Sequence, residues 1–151
     1  MIKEILTVLS ALLTLTIAVV GVIILVNQYH LERMRWRLAL YDKRYPVFLK
    51  TMEFLGKIAA KHNVTNDELS IFLRESREKE FLFGKDVEKL LEQIYLNALN
   101  LYTIETELNS IPVGEVRNKK VTESSTLFNW FMAQFAICTS VFGEYLRVDE
   151  K

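Results

Sequence analysis

Residues that carry chemistry are scarce in this chain. It has one cysteine, two histidines, two prolines and five glycines among 151 residues. A lone cysteine, Cys138, excludes an intrachain disulfide framework. It sits on an apolar stretch with no Lys or His close in sequence, which predicts a buried structural thiol. His30 and His62 stand roughly 48 Å apart along one straight helix, so they cannot share a metal, and no metal site is expected. The chain has no G-x-x-x-x-G-K-[ST], H-E-x-x-H, C-x-x-C or G-x-S-x-G run. An enzyme is therefore not expected, and no cofactor is implied. Charge is not in surplus either: 19 Lys and Arg balance 19 Asp and Glu. Setting aside Lys3 and Glu4 leaves 18 of each for the rest of the chain. A general DNA or RNA binder needs a positive surplus to displace counterions, so that class is set aside.

What the chain does have is one long apolar run. Ile5 to Val26, ILTVLSALLTLTIAVVGVIILV, contains no charge, Asn, Gln or Pro. As a helix it measures roughly 33 Å, enough for a hydrocarbon core of roughly 30 Å. The run is too long for the core of a signal peptide and lacks a clean small-x-small cleavage site. A buried soluble helix would show a polar face. We therefore expect a membrane anchor over 1–29 and a helical domain over 30–151. Lys3 is the only basic side chain before the run, whereas Arg33, Arg35, Arg37, Lys43 and Arg44 follow it closely. The positive-inside rule then puts the N-terminus outside and the domain in the cytoplasm, at a bacterial inner membrane. The sequon Asn63-Val64-Thr65 is irrelevant in that orientation. Along the run, Thr7, Ser10, Thr14, Ala18 and Gly21 make a stripe of small residues. Such stripes let helices pack closely in lipid and point to a homo-oligomer. The alternative is that the hydroxyls bond their own helix and face lipid.

After the run, apolar residues at 31, 34, 38, 41, 45, 48, 52, 55 and 59 alternate in steps of three and four, a heptad pattern. Its unbroken phase predicts a helix that continues through Pro46. Two helices meeting at Tyr45-Pro46 are the alternative. The seam reads as part of an intramolecular core, with a parallel coiled coil as the competing reading. Thr65 followed by Glu68 is a capping box that should start a short helix carrying Leu69, Phe72 and Leu73. Arg74 to Glu80 reads as a solvated connection. Phe81-Leu82-Phe83-Gly84 should plug into the core and turn. Lys85 to Asn109 repeats apolar residues at helical spacing, with Asp86 and Glu88 in its first turn and Pro112 and Gly114 beyond its end. Residues 112–123 read as a polar connection. Ser124 to Leu146 reads as an aromatic helix; its Ser, Asn129 and Gln134 make a second span unfavourable. The fold class that follows is all-α, one transmembrane helix continuing into a cytoplasmic bundle of about four helices.

Two basic clusters are candidate anion sites. Arg35, Arg37, Tyr41 and Arg44 form the first and Arg117, Lys119 and Lys120 the second. The plain reading of the first is attraction to anionic headgroups, and of the second a solvated loop. The sharper reading is that copies in an oligomer converge these cations on an anionic nucleotide ligand.

Arg37-Leu-Ala-Leu-Tyr41-Asp-Lys-Arg44-Tyr45-Pro-Val-Phe48, with Phe81 to Gly84 and Trp130-Phe131 later, resembles a pattern in uncharacterised small bacterial single-pass membrane proteins. That resemblance implies the layout and brings no activity. The layout is also similar to membrane effectors of antiphage defence, which implies an effector gated by a cyclic nucleotide. The leading expectation is instead an interaction protein: a helical domain held at the bilayer, self-associating or docking a cytoplasmic protein partner.

Overall fold

The computed structural model describes residues 1–147, apart from the side chains of Val8, Ser10 and Ala11. Among the described residues it is all-helical: α1 Ile2–Lys61, α2 Asn66–Glu75, α3 Lys79–Leu82, α4 Lys85–Leu108 and α5 Glu115–Leu146. It divides into two units, Met1–Ala39 and Leu40–Lys151. Residues 30–39 fall in the first unit, and all are exposed except the half-buried Arg37.

The first unit is the N-terminal part of α1. It is long and apolar enough to cross a membrane, with a mean hydropathy of 2.8 over its best window and none of that window buried. Thr7 donates its hydroxyl hydrogen to the Lys3 carbonyl at 2.9 Å, and Thr16 donates to that of Leu13 at 2.8 Å. Such bonds to the helix's own backbone satisfy a hydroxyl without a partner helix.

In the second unit α1 passes through Pro46 without a break. Proline removes the bond to the carbonyl four residues earlier. Both Pro46 and Asp42 are exposed, so water can meet that carbonyl. The core begins one residue further on, with Val47, Thr51, Phe54, Leu55 and Ile58. This face is rotated from the heptad seam: Leu55 belongs to both, whereas Phe48 and Met52 are only half buried. Thr51 enters the core because its hydroxyl donates to the Val47 carbonyl at 2.8 Å, which removes the cost of burying it.

His62 ends α1 in a left-handed conformation with φ of 52°, its N–H bonded to the Ile58 carbonyl at 2.8 Å. Thr65 then caps α2 as the sequence predicts. It accepts from the Glu68 N–H at 3.3 Å, and Glu68 accepts from the Thr65 N–H at 2.9 Å. Thr65→Ala should cost about 1 kcal/mol, read as a lower denaturant midpoint at constant slope. An unchanged midpoint would show that Lys61, 2.9 Å from Glu68, holds the helix start alone.

α2 runs back along α1, with Phe72 stacked on Phe54 at 4.3 Å and Glu75 beside Lys50 at 3.8 Å. α4 and α5 are antiparallel, as Asp86 meets Tyr145 at one end and Glu105 meets Ser124 at the other. α5 also runs antiparallel to α1: Phe48 lies 5.5 Å from Phe142, and His62 stacks on Phe128 at 4.0 Å. The topology is down-up-down-up, with α2 and α3 as the first return. Leu91, Ile94, Ala98 and Leu101 of α4 and Phe131, Cys138 and Phe142 of α5 fill the centre.

Three local expectations are corrected. Phe81 does not enter the core: it is 87% exposed, whereas Leu82 is buried and the half-buried Phe83 packs on Phe142 at 5.1 Å, so only two of the trio face inward. Leu73 of α2 also faces outward, 49% exposed. The polar stretch 112–123 is a loop only as far as Gly114, and from Glu115 it forms the first turns of α5. α5 itself buries Phe131, Gln134, Cys138 and Phe142, so it is a core helix of the bundle.

Candidate functional site

Arg44 holds together the end of the bundle where three segments meet. Its Nε donates to the Leu82 carbonyl at 2.7 Å and its Nη1 to the Tyr145 carbonyl at 3.3 Å. These carbonyls lie at the C-terminal ends of α3 and α5, where helices leave acceptors unpaired and favour positive charge. The guanidinium also lies over Phe83 at 5.8 Å and Tyr145 at 5.4 Å. The two rings meet edge to face at 5.5 Å. Only arginine offers two separated donors on a plane that stacks between rings.

The same corner contains a carboxylate. The Tyr145 hydroxyl donates to Asp86 Oδ1 at 2.7 Å. That bond holds the Asp86 carboxyl below its ordinary range and raises the Tyr145 phenol. Gly84 lies beneath this bond, and a Cβ there would collide with the Tyr145 hydroxyl and Asp86 Oδ1. A carboxylate lowered in the folded state stabilises above its unfolded range and stops doing so as pH falls through the folded value. A raised phenol stabilises below its unfolded value and stops as pH rises through the folded one. The corner should therefore be tightest from about pH 5 to 9. Tyr145→Phe should flatten the acid limb of a stability-against-pH curve; an unaltered limb would show that the bond contributes nothing.

A second polar group lies at the opposite end. Buried Ser124 donates to Glu105 at 2.6 Å, and His62 Nε2 stands 3.4 Å from the same hydroxyl. Serine, histidine and glutamate meet here, but the serine sits between the other two and gives its proton to the carboxylate. In this order it links α1, α4 and α5 and is not an activated nucleophile. Cys138 is fully buried, and burial pushes its thiol up to about 12.

The residues expected to bind an anion are distributed as follows. Arg35 is exposed and Arg37 half buried, both in the first unit. Tyr41 is half buried and stacked on Tyr45 at 5.4 Å. Arg44 turns inward, as described above. Arg117 Nη1 donates to the Leu108 carbonyl and, at 2.9 Å, to that of Ile111, so it caps the end of α4. Lys120 pairs with Glu107 at 2.9 Å and Glu123 at 3.5 Å, while Lys119 is exposed. Arg44, Arg117 and Lys120 thus have internal partners. In the small-residue stripe, Thr7, Thr14 and Ala18 are exposed and Gly21 is half buried; the Ser10 side chain lies outside the described residues. An open groove of about 450 Å³ runs beside α2 and α3, lined by Arg74, Arg77 and Lys79 with Ser70, Leu73 and Glu80.

The sequence reading missed Arg44, Phe83, Asp86 and Tyr145 as one cluster. Their separation in the chain conceals it, and the only local sign is a glycine two residues before an aspartate. No family model, curated protein or solved structure matches this chain.

Proposed function

We propose that this chain is a single-pass protein of the bacterial inner membrane whose helical domain faces the cytoplasm and mediates protein interaction or self-association there. One observation carries this reading. α1 is a single helix whose first part is apolar and uncovered and whose last turns are built into the bundle core. The apolar part suits lipid, and the continuous backbone holds the bundle beside the bilayer. The basic residues after the run support the orientation through the positive-inside rule.

Membranes from expressing cells provide the test. The chain should resist alkaline carbonate extraction, and protease added to inverted vesicles should remove the bundle while intact cells protect it. Release by carbonate, or cleavage from outside intact cells, would refute the placement. Calorimetry of the detergent-solubilised chain with a cyclic dinucleotide separates the effector reading. Micromolar binding lost on Arg35→Gln and Arg37→Gln would replace the interaction reading.

A further inference from the structure

The open groove beside α2 and α3 lies wholly within the second unit. Its volume of about 450 Å³ is in the range of small-ligand sites. Arg74, Arg77 and Lys79 line it against one carboxylate, Glu80. Several cations elsewhere in this unit have internal partners. Lys50, Lys61, Lys85 and Lys120 pair with carboxylates, and Arg44 and Arg117 hold carbonyls. The side chains of Arg74, Arg77 and Lys79 have no hydrogen bond or ion pair among the described residues. Lys79 is half buried, so its ammonium is partly withdrawn from water without a counter-charge.

A cation at the end of a helix ordinarily caps its last carbonyls. That use is already taken at the end of α2. Ser76 gives the Phe72 carbonyl both its N–H, at 3.0 Å, and its hydroxyl, at 2.8 Å. The Arg77 N–H meets the Arg74 carbonyl at 3.3 Å. The guanidinium groups are therefore left for an anion from outside, and their planar forks fit phosphate oxygens. Three lining cations less one carboxylate leave two positive charges, which match a phosphate monoester carrying nearly two negative ones at pH 7. The rest of the lining is the Glu80 carboxylate, the Ser70 hydroxyl and the side of Leu73. A bare phosphate uses none of these, and Glu80 repels it. A polyol on the phosphate brings hydroxyls that donate to Glu80 and exchange hydrogen bonds with Ser70.

We infer that this groove binds a polyol phosphate, with Arg74, Arg77 and Lys79 on the phosphate and Glu80 and Ser70 on the hydroxyls. A free ester and a lipid headgroup of the same chemistry both present these groups. The inference goes beyond the interaction reading above and does not depend on it.

Calorimetry of the full chain in a neutral detergent tests it, with glycerol 3-phosphate, inorganic phosphate and glycerol as probes. Glycerol 3-phosphate should bind saturably at one site per chain, inorganic phosphate more weakly, and glycerol not at all. Arg77→Gln should weaken binding of the ester about tenfold, the loss of one charged hydrogen bond. Its side chain is exposed, so the variant should melt with the native chain. Lys89→Gln, at an exposed cation of α4 outside the groove, should leave the affinity unchanged. Glu80→Gln should narrow the preference for the ester over inorganic phosphate. Tighter binding of dihexanoyl phosphatidylglycerol, with the same dependence on Arg77, makes a lipid headgroup the source of the ligand; weaker binding makes it the free ester. Absence of saturable binding by both, or equal losses in Arg77→Gln and Lys89→Gln, overturns the inference. Inorganic phosphate binding as tightly as the ester overturns the assignment to a polyol.

Discussion

Phe142→Ala should lower stability by about 3–5 kcal/mol and the midpoint of thermal unfolding by more than about 10 °C. The ring is fully buried, 5.5 Å from Phe48 and 5.1 Å from Phe83. It therefore joins α1, α5 and the turn before α4. Truncation removes its transfer energy and leaves a cavity that three segments cannot easily close. A whole domain is stable by about 5–15 kcal/mol, so this one ring accounts for a large share. Circular dichroism of the full chain in detergent reads the effect. Phe81→Ala is the control: its ring is 87% exposed, and the change should stay within about 0.5 kcal/mol. If the two variants melt alike, the assignment of Phe142 to the core and Phe81 to the surface is wrong.

Arg44→Met should cost about 2–4 kcal/mol, although it keeps much of the side chain's length and apolar stem. It removes both donors to the Leu82 and Tyr145 carbonyls and the charge held between two rings. Arg44→Lys should recover little, because an ammonium cannot supply separated donors and stack at once. The measurement also separates two roles for the residue. A structural Arg44 moves the melting curve in the absence of any ligand. An Arg44 that serves only to bind an anion would leave the melting curve where it is. An unchanged curve would restore Arg44 to the list of candidate ligand residues.

The sequence was readable where one physical pattern dominated. The apolar run, the Thr65–Glu68 box and α4 all follow from local rules: hydropathy, cap chemistry and helical spacing. The reading failed where tertiary partners decide. The first turns of α5 carry no apolar repeat and are held by Arg117 on the end of α4 and Lys120 on Glu107, so they read as a loop. Phe81 reads as core because three apolar residues in a row do not show which of them point inward. Steps of three and four located the apolar residues of α1 and did not say which face the bundle covers, since two faces satisfy them. The Arg44 corner was unreadable because its partners lie about 40 and 100 residues away.

The antiparallel contact of α1 with α5 also sets an order in time. Leu55 and Ile58 emerge early from the ribosome, whereas Phe131 and Phe142 follow about 70–90 residues later. At roughly 5–20 residues per second, that face of α1 waits about 4–18 seconds for its cover. During synthesis, a nascent chain of this kind presents its future core before α5 exists to close it.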